Sequence, residues 1–103
     1  MAWYVYVAQF FGGAFLSNAV PHFVHGISGR PFPSPFASPP GRGDSPPIVN
    51  VLWGAFNVAV GYLLLYRVGS FAVQSARQVL VVGIGGLLMA GMLAWSFGRA
   101  TSK

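Results

Sequence analysis

Apolar positions along the chain fall into three long runs separated by two stretches of different character. The first run, residues 3–21, is mostly apolar, and no charged side chain precedes Arg30. The second, residues 48–66 ("IVNVLWGAFNVAVGYLLLY"), and the third, residues 78–98 ("QVLVVGIGGLLMAGMLAWSFG"), contain no charge at all. Each comes close to the ~20 residues that a helix needs to cross a ~30 Å hydrocarbon core. Backbone groups in lipid must be satisfied within the segment, which makes helices the economical form for short spans. The pattern predicts an all-α membrane protein: a single membrane domain over residues 1–103, with three transmembrane helices and a Pro-rich loop between the first two.

That loop, residues 28–47, holds seven of the eight prolines. Proline fixes φ and donates no amide hydrogen, which excludes a regular helix or a central strand. The alternation of Pro31, Pro33 and Pro35 favours an extended, polyproline-like path. Phe32 and Phe36 are expected to anchor the loop, dipping into the interface or capping the bundle; the alternative is a proline-rich docking peptide for another protein. Arg42-Gly43-Asp44 spells an adhesion tripeptide, but Gly beside Asp is ordinary turn chemistry. The second link, residues 67–77, reads as a helical extension or an interfacial turn.

Spacing within the runs predicts which faces meet other helices. Gly83, Gly86, Ala90, Ala94 and Gly98 recur at intervals of three and four, and small residues on one face let membrane helices approach closely. Gly13 and Ser17 form a weaker version on the first helix. Asn50, Gly54, Asn57 and Gly61 share a stripe of the second helix, and asparagine amides in lipid demand partners. These stripes are expected to serve bundle packing or an interface with a second copy or other membrane subunits. Trp3, Tyr4, Tyr6, Tyr62, Tyr66 and Trp95 stand near span ends, where amphipathic rings favour the headgroup level. Trp53 lies one turn inside its span, so whether it faces a partner or lipid stays open.

Composition strengthens the membrane reading. Charged residues make up 7% and apolar residues 54% of the chain, and the mean hydropathy is +0.61. A small water-soluble domain with so little charge could not cover its surface with polar groups. The net charge of +5 comes from Arg30, Arg42, Arg67, Arg77, Arg99 and Lys103, spread singly without a basic cluster. Nucleic acid is therefore not expected as a partner. Arg30, Arg42, Arg99 and Lys103 share one side against Arg67 and Arg77 on the other. That predicts a cytoplasmic first loop and C-terminus with the N-terminus outside. The N-terminal run lacks the basic start of a cleaved signal peptide and is expected to be retained. There is no cysteine, which excludes disulfides, thiolate metal sites and cysteine nucleophiles.

The candidate chemistry is His22 and His25, three residues apart after Pro21. On a helix they would share a face and could share a metal or haem. No other histidine exists, and Asp44 is the lone carboxylate side chain, so a metal site would need neighbouring subunits. The competing expectation places Pro21 at the end of the first span and both imidazoles at the headgroup level. One aspartate cannot build a carboxylate pair or a serine–histidine–acid set, so no enzyme and no catalytic residue are expected. No cofactor is expected either. Ion-coupled carriers usually place an ionisable residue inside a span, and Asp, Glu, Lys and Arg are absent from these three.

At "NAVPHFVHGISGRPF", "PFASPPGRGDS" and "NVLWG" the chain resembles a family of small uncharacterised bacterial membrane proteins. The resemblance covers roughly the first two helices and their loop, and it implies a bacterial inner (cytoplasmic) membrane location without an activity. The expected function is that of an accessory or structural subunit packing against other membrane helices in a homo- or hetero-oligomer. A small oligomeric channel or transporter, with Asn50 and Asn57 lining a pore, is the alternative. A metal- or haem-binding subunit using His22 and His25 is third.

Overall fold

The three apolar runs fold as three helices in a computed structural model that describes residues 2–101. Helix α1 spans Trp3–Ile27, α2 spans Pro47–Tyr62, and α3 spans Ala76–Thr101. Pro47 begins α2, where its missing N–H costs nothing. Past Tyr62 the helix widens into one π-helical turn, Leu63–Val68, and the Gly69 amide then donates five residues back to the Leu64 carbonyl at 2.8 Å. The all-α expectation holds. Lys103, counted in the charge balance, lies outside the described residues.

The first helix departs from expectation. It runs through Pro21 without a break and adds a turn and a half, to Ile27. Its stop is a Schellman arrangement instead. Gly29 takes a left-handed φ of +72°, its amide donates to Gly26 O, and the Arg30 amide donates to His25 O. Packing explains the extension: the Gly26 Cα lies against the backbone of Pro47 and Val51, leaving no room for a Cβ.

α1 is the central element. It packs antiparallel to α2 and parallel to α3, while α2 and α3 barely touch each other. Gly54 meets the Phe23 backbone and Gly61 meets Leu16 and the Gly12 carbonyl. The four stripe residues of α2, Asn50, Gly54, Asn57 and Gly61, are its buried ones, as the spacing predicts.

On α3 the contact face is displaced from the predicted stripe. Gly85, not among those residues, abuts the Phe10 backbone so closely that a Cβ would collide with its carbonyl oxygen. Gly86 sits at ordinary contact distance from Gly13. Gly83 and Gly98 face open space, and Ala90 and Ala94 are exposed beside a groove against α1. The small-residue run therefore does not form the intramolecular seam as a whole.

The Pro-rich loop folds back as a two-residue antiparallel ladder, β1 (Phe32–Pro33) with β2 (Asp44–Ser45), lying over one end of the bundle. Phe32 is buried there, whereas Phe36 is exposed against the Trp53 ring. Phe32 caps the bundle, one of the two expected forms of anchoring, while the exposure of Phe36 is compatible with the other, at an interface. At the opposite end, the link between α2 and α3 is held by Gln9 of α1.

Two helices, Pro47–Val68 and Ala76–Ala100, are long and apolar enough to cross a membrane. α1 is not one of them, because Gln9, Asn18 and His22 interrupt its apolar run. Those polar residues point inward. The largest fully buried side chains include His22, Gln9, Asn50 and Asn57, while Leu80, Leu87, Leu88, Trp95 and many other large apolar residues are exposed. The molecule has a polar interior and an apolar exterior.

Candidate functional site

The polar interior gathers into two clusters, one at each end. At the link end, Gln9 Nε2 donates to the Gly69 carbonyl at 2.8 Å and to Gln78 Oε1 at 3.1 Å, and Gln78 Oε1 also accepts from the Ala72 amide. This ties α1, the π-turn and the start of α3 together. Its geometry is that of a structural tie.

At the loop end the arrangement is richer. Asn50 Nδ2 donates to the carbonyls of Phe32 at 3.0 Å and Ser45 at 3.2 Å. Those acceptors fix the amide orientation and turn Oδ1 toward His22 Nδ1, 2.8 Å away. An amide oxygen only accepts, so the His22 proton must sit on Nδ1. In the neutral form of the ring the lone pair is then left on Nε2. Ser34 Oγ and Ser45 Oγ lie 2.6 Å apart and close the hairpin over this point. One turn deeper, Asn18 Nδ2 donates to Asn57 Oδ1 at 3.0 Å, and Asn57 Nδ2 donates to the Trp53 carbonyl.

A cavity of about 170 Å³ opens beside the imidazole, lined by Asn18, His22, Ser34, Trp53, Ser96 and Phe97 among others. The Trp53 indole Nε1 is buried without an acceptor among the described residues. The His22 and Trp53 rings meet edge to face, 6.3 Å apart. A larger apolar groove of about 520 Å³ lies on the outer side of α2, between Phe36, Leu52, Trp53 and Phe56. Trp53 thus stands between this cavity and the apolar groove.

The two histidines have different surroundings. His22 is 2% exposed and faces Asn50. His25 is half-buried, its ring stacked on Phe32 at 4.0 Å, with Nδ1 buried and unpartnered among the described residues. Desolvation and the nearby Arg30 cation both hold the His25 imidazole below its usual range. Phe32 contacts both rings, and among the described residues no three His, Cys, Asp or Glu side chains come together. The donor set that a shared metal would need is not assembled by this chain.

Asn50 and Asn57, considered as pore-lining residues, are fully buried against α1 and occupied by its side chains. What the sequence did not single out is Asn18, Ser34, Ser96 and Gln9. Each is a polar residue in a run or loop read for its apolar or proline content. No family model, curated protein or solved structure matches the chain.

Proposed function

We infer that the protein is a small multi-pass membrane protein of the bacterial inner membrane, acting as an accessory or structural subunit that packs against other membrane helices. The observation that carries this reading is α3, a crossing-length apolar helix of which 6% is buried within the molecule. A core helix of a soluble protein is mostly covered by its own chain; this one needs lipid or another protein over nearly all its surface. α1 crosses as well in this reading. It is flanked by α2 and α3, so its polar groups meet protein and its remaining surface meets lipid. At 1.5 Å per residue its 25 residues exceed a ~30 Å core, which leaves the His25 turn in the headgroup zone. The 45 Å long axis fits a bilayer with its headgroups, ~40–45 Å.

The packing face toward other subunits is the open side of α3 at Gly83 and Gly98, where close helix approach meets no obstacle. The test is gentle detergent extraction followed by native mass spectrometry. The unmodified chain is expected in a defined complex with itself or another membrane protein, and Gly83→Leu with Gly98→Leu is expected to release a folded single chain. An unmodified protein that runs as a lone monomer defeats the reading.

A further inference from the structure

We propose that the His25–Phe32 stack is a pH-sensitive clasp on the Pro-rich loop, closed while the imidazole is neutral and released when it becomes charged. The device is independent of the subunit role, because its two rings belong to α1 and β1 and not to the open face of α3.

The loop is held by Phe32, the ring it buries against His22, His25 and Phe97. The His25 contact is the closest of the three, nearly parallel at 14° with centroids 4.0 Å apart. It covers one face of the imidazole and keeps the ring from turning. In that position Nδ1 is buried and has no hydrogen-bond partner among the described residues. A neutral imidazole can leave Nδ1 as an acceptor, but the charged ring donates from both nitrogens. The donor at Nδ1 would then be buried without an acceptor, a costly arrangement for a charged group. Lifting Phe32 frees the ring to turn toward water.

The charges around the ring act in the same direction. Desolvation is the larger cause that opposes protonation of His25, and the Arg30 cation is the smaller. Asp44 of β2, the lone carboxylate side chain, is exposed and makes no ion pair among the described residues. Arg42 of the loop is exposed, Arg99 of α3 lies over Trp95, and α2 brings no charged residue. His22, the other titratable ring against Phe32, repels a charged His25 when it is charged itself. Only the attraction of a charged ring for the Phe32 face favours closure. The closed form therefore binds the proton less readily than a free imidazole of pKa ~6.5. Closure keeps its full strength above that value and weakens as the pH falls below it.

The test is trypsin cleavage at Arg42–Gly43 in phosphatidylcholine nanodiscs, identified by mass spectrometry and read as the rate for the unmodified protein over that for His25→Phe. The variant keeps a stacking ring that cannot charge, and a ratio taken at one pH cancels the protease's own pH dependence. Between pH 7.5 and 5.5 the ratio is expected to rise several-fold. About tenfold is the ceiling, since a ring of pKa ~6.5 in the open form gains no more over one unit. A constant ratio overturns the proposal, as it would if His22 carried the pH dependence. So does a ratio that falls in acid, which would mean that the charged ring holds Phe32 more tightly. If His25→Phe does not fold, imidazole-nitrogen spectra of the unmodified protein decide. His25 is expected to titrate below ~6.5, and titration at or above that value overturns the clasp equally.

Discussion

One amide, that of Asn50, joins three parts of the chain: it accepts from the His22 ring on α1 and donates to the Phe32 and Ser45 carbonyls of the loop. Its removal orphans a buried imidazole N–H and two carbonyls. Asn57 joins fewer groups, accepting from Asn18 and donating within its own helix to Trp53. Each orphaned buried group costs on the order of 1–3 kcal/mol, tempered in membrane proteins by alternative partners in the unfolded state. Asn50→Ala is therefore expected to lower the thermal midpoint in detergent clearly more than Asn57→Ala, by about 1–2 kcal/mol in stability. Equal losses would show that the loop carbonyls find other donors. The two phenylalanines of the loop separate in the same way. Phe32 is buried against His22, His25 and Phe97, while Phe36 is exposed. Phe32→Ala is expected to cost about 3 kcal/mol and to expose the loop to protease, with Phe36→Ala near neutral. Comparable cleavage rates in the two variants would refute that assignment.

Between elements, close approach is set by glycines whose position on the helix face matters more than their number. A Cβ at Gly85 would collide with the Phe10 carbonyl, while one at Gly83 meets nothing within 4 Å. Gly85→Ala should force α3 off α1 and lower the unfolding midpoint by several degrees; Gly83→Ala should leave it unchanged or raise it slightly through better helix propensity. A midpoint shift in the reverse order would mean that the helices cross elsewhere. This contrast also shows what was legible in advance. The α2 stripe was readable because costly asparagines sit among its glycines and mark the face that must be covered. On α3 every face offers a small residue, so spacing alone could not choose between the Gly85 side and the Gly83 side. The end of α1 was misread for a related reason. Pro21 is a strong local break signal, but the packing of Gly26 and the His22–Asn50 contact outweigh it, and the true stop is Ser28-Gly29. The cavity beside His22 was hidden altogether, since it forms only when Asn18, Ser34, Trp53 and Ser96, distant in sequence, converge.

For the whole molecule, the decisive feature is that burial is inverted: asparagine, glutamine and histidine inside, leucine, phenylalanine and tryptophan outside. In water this arrangement exposes apolar area over most of the surface, far more than a soluble monomer tolerates. In lipid it becomes favourable, because the exterior matches hydrocarbon while Gln9, His22, Asn50, Asn57 and Gln78 turn to protein. The ends are marked as well. Tyr62 and Tyr66 are exposed at the link end, and at the other end the Arg99 guanidinium lies 4.8 Å over the Trp95 ring, an arrangement suited to the headgroup boundary. The proposed three crossings would put the Pro-rich loop and the α2–α3 link on opposite sides of the bilayer. The absence of native cysteine makes this directly measurable. With single cysteines at Ser38→Cys and Gln74→Cys, a membrane-impermeant maleimide added to intact cells is expected to label position 74 and spare position 38, which reacts only after the membrane is opened. The reverse pattern would keep the three crossings and invert the orientation drawn from Arg30, Arg42 and Arg99. Labelling of both positions from one side would remove α2 as a crossing helix, and the membrane architecture with it.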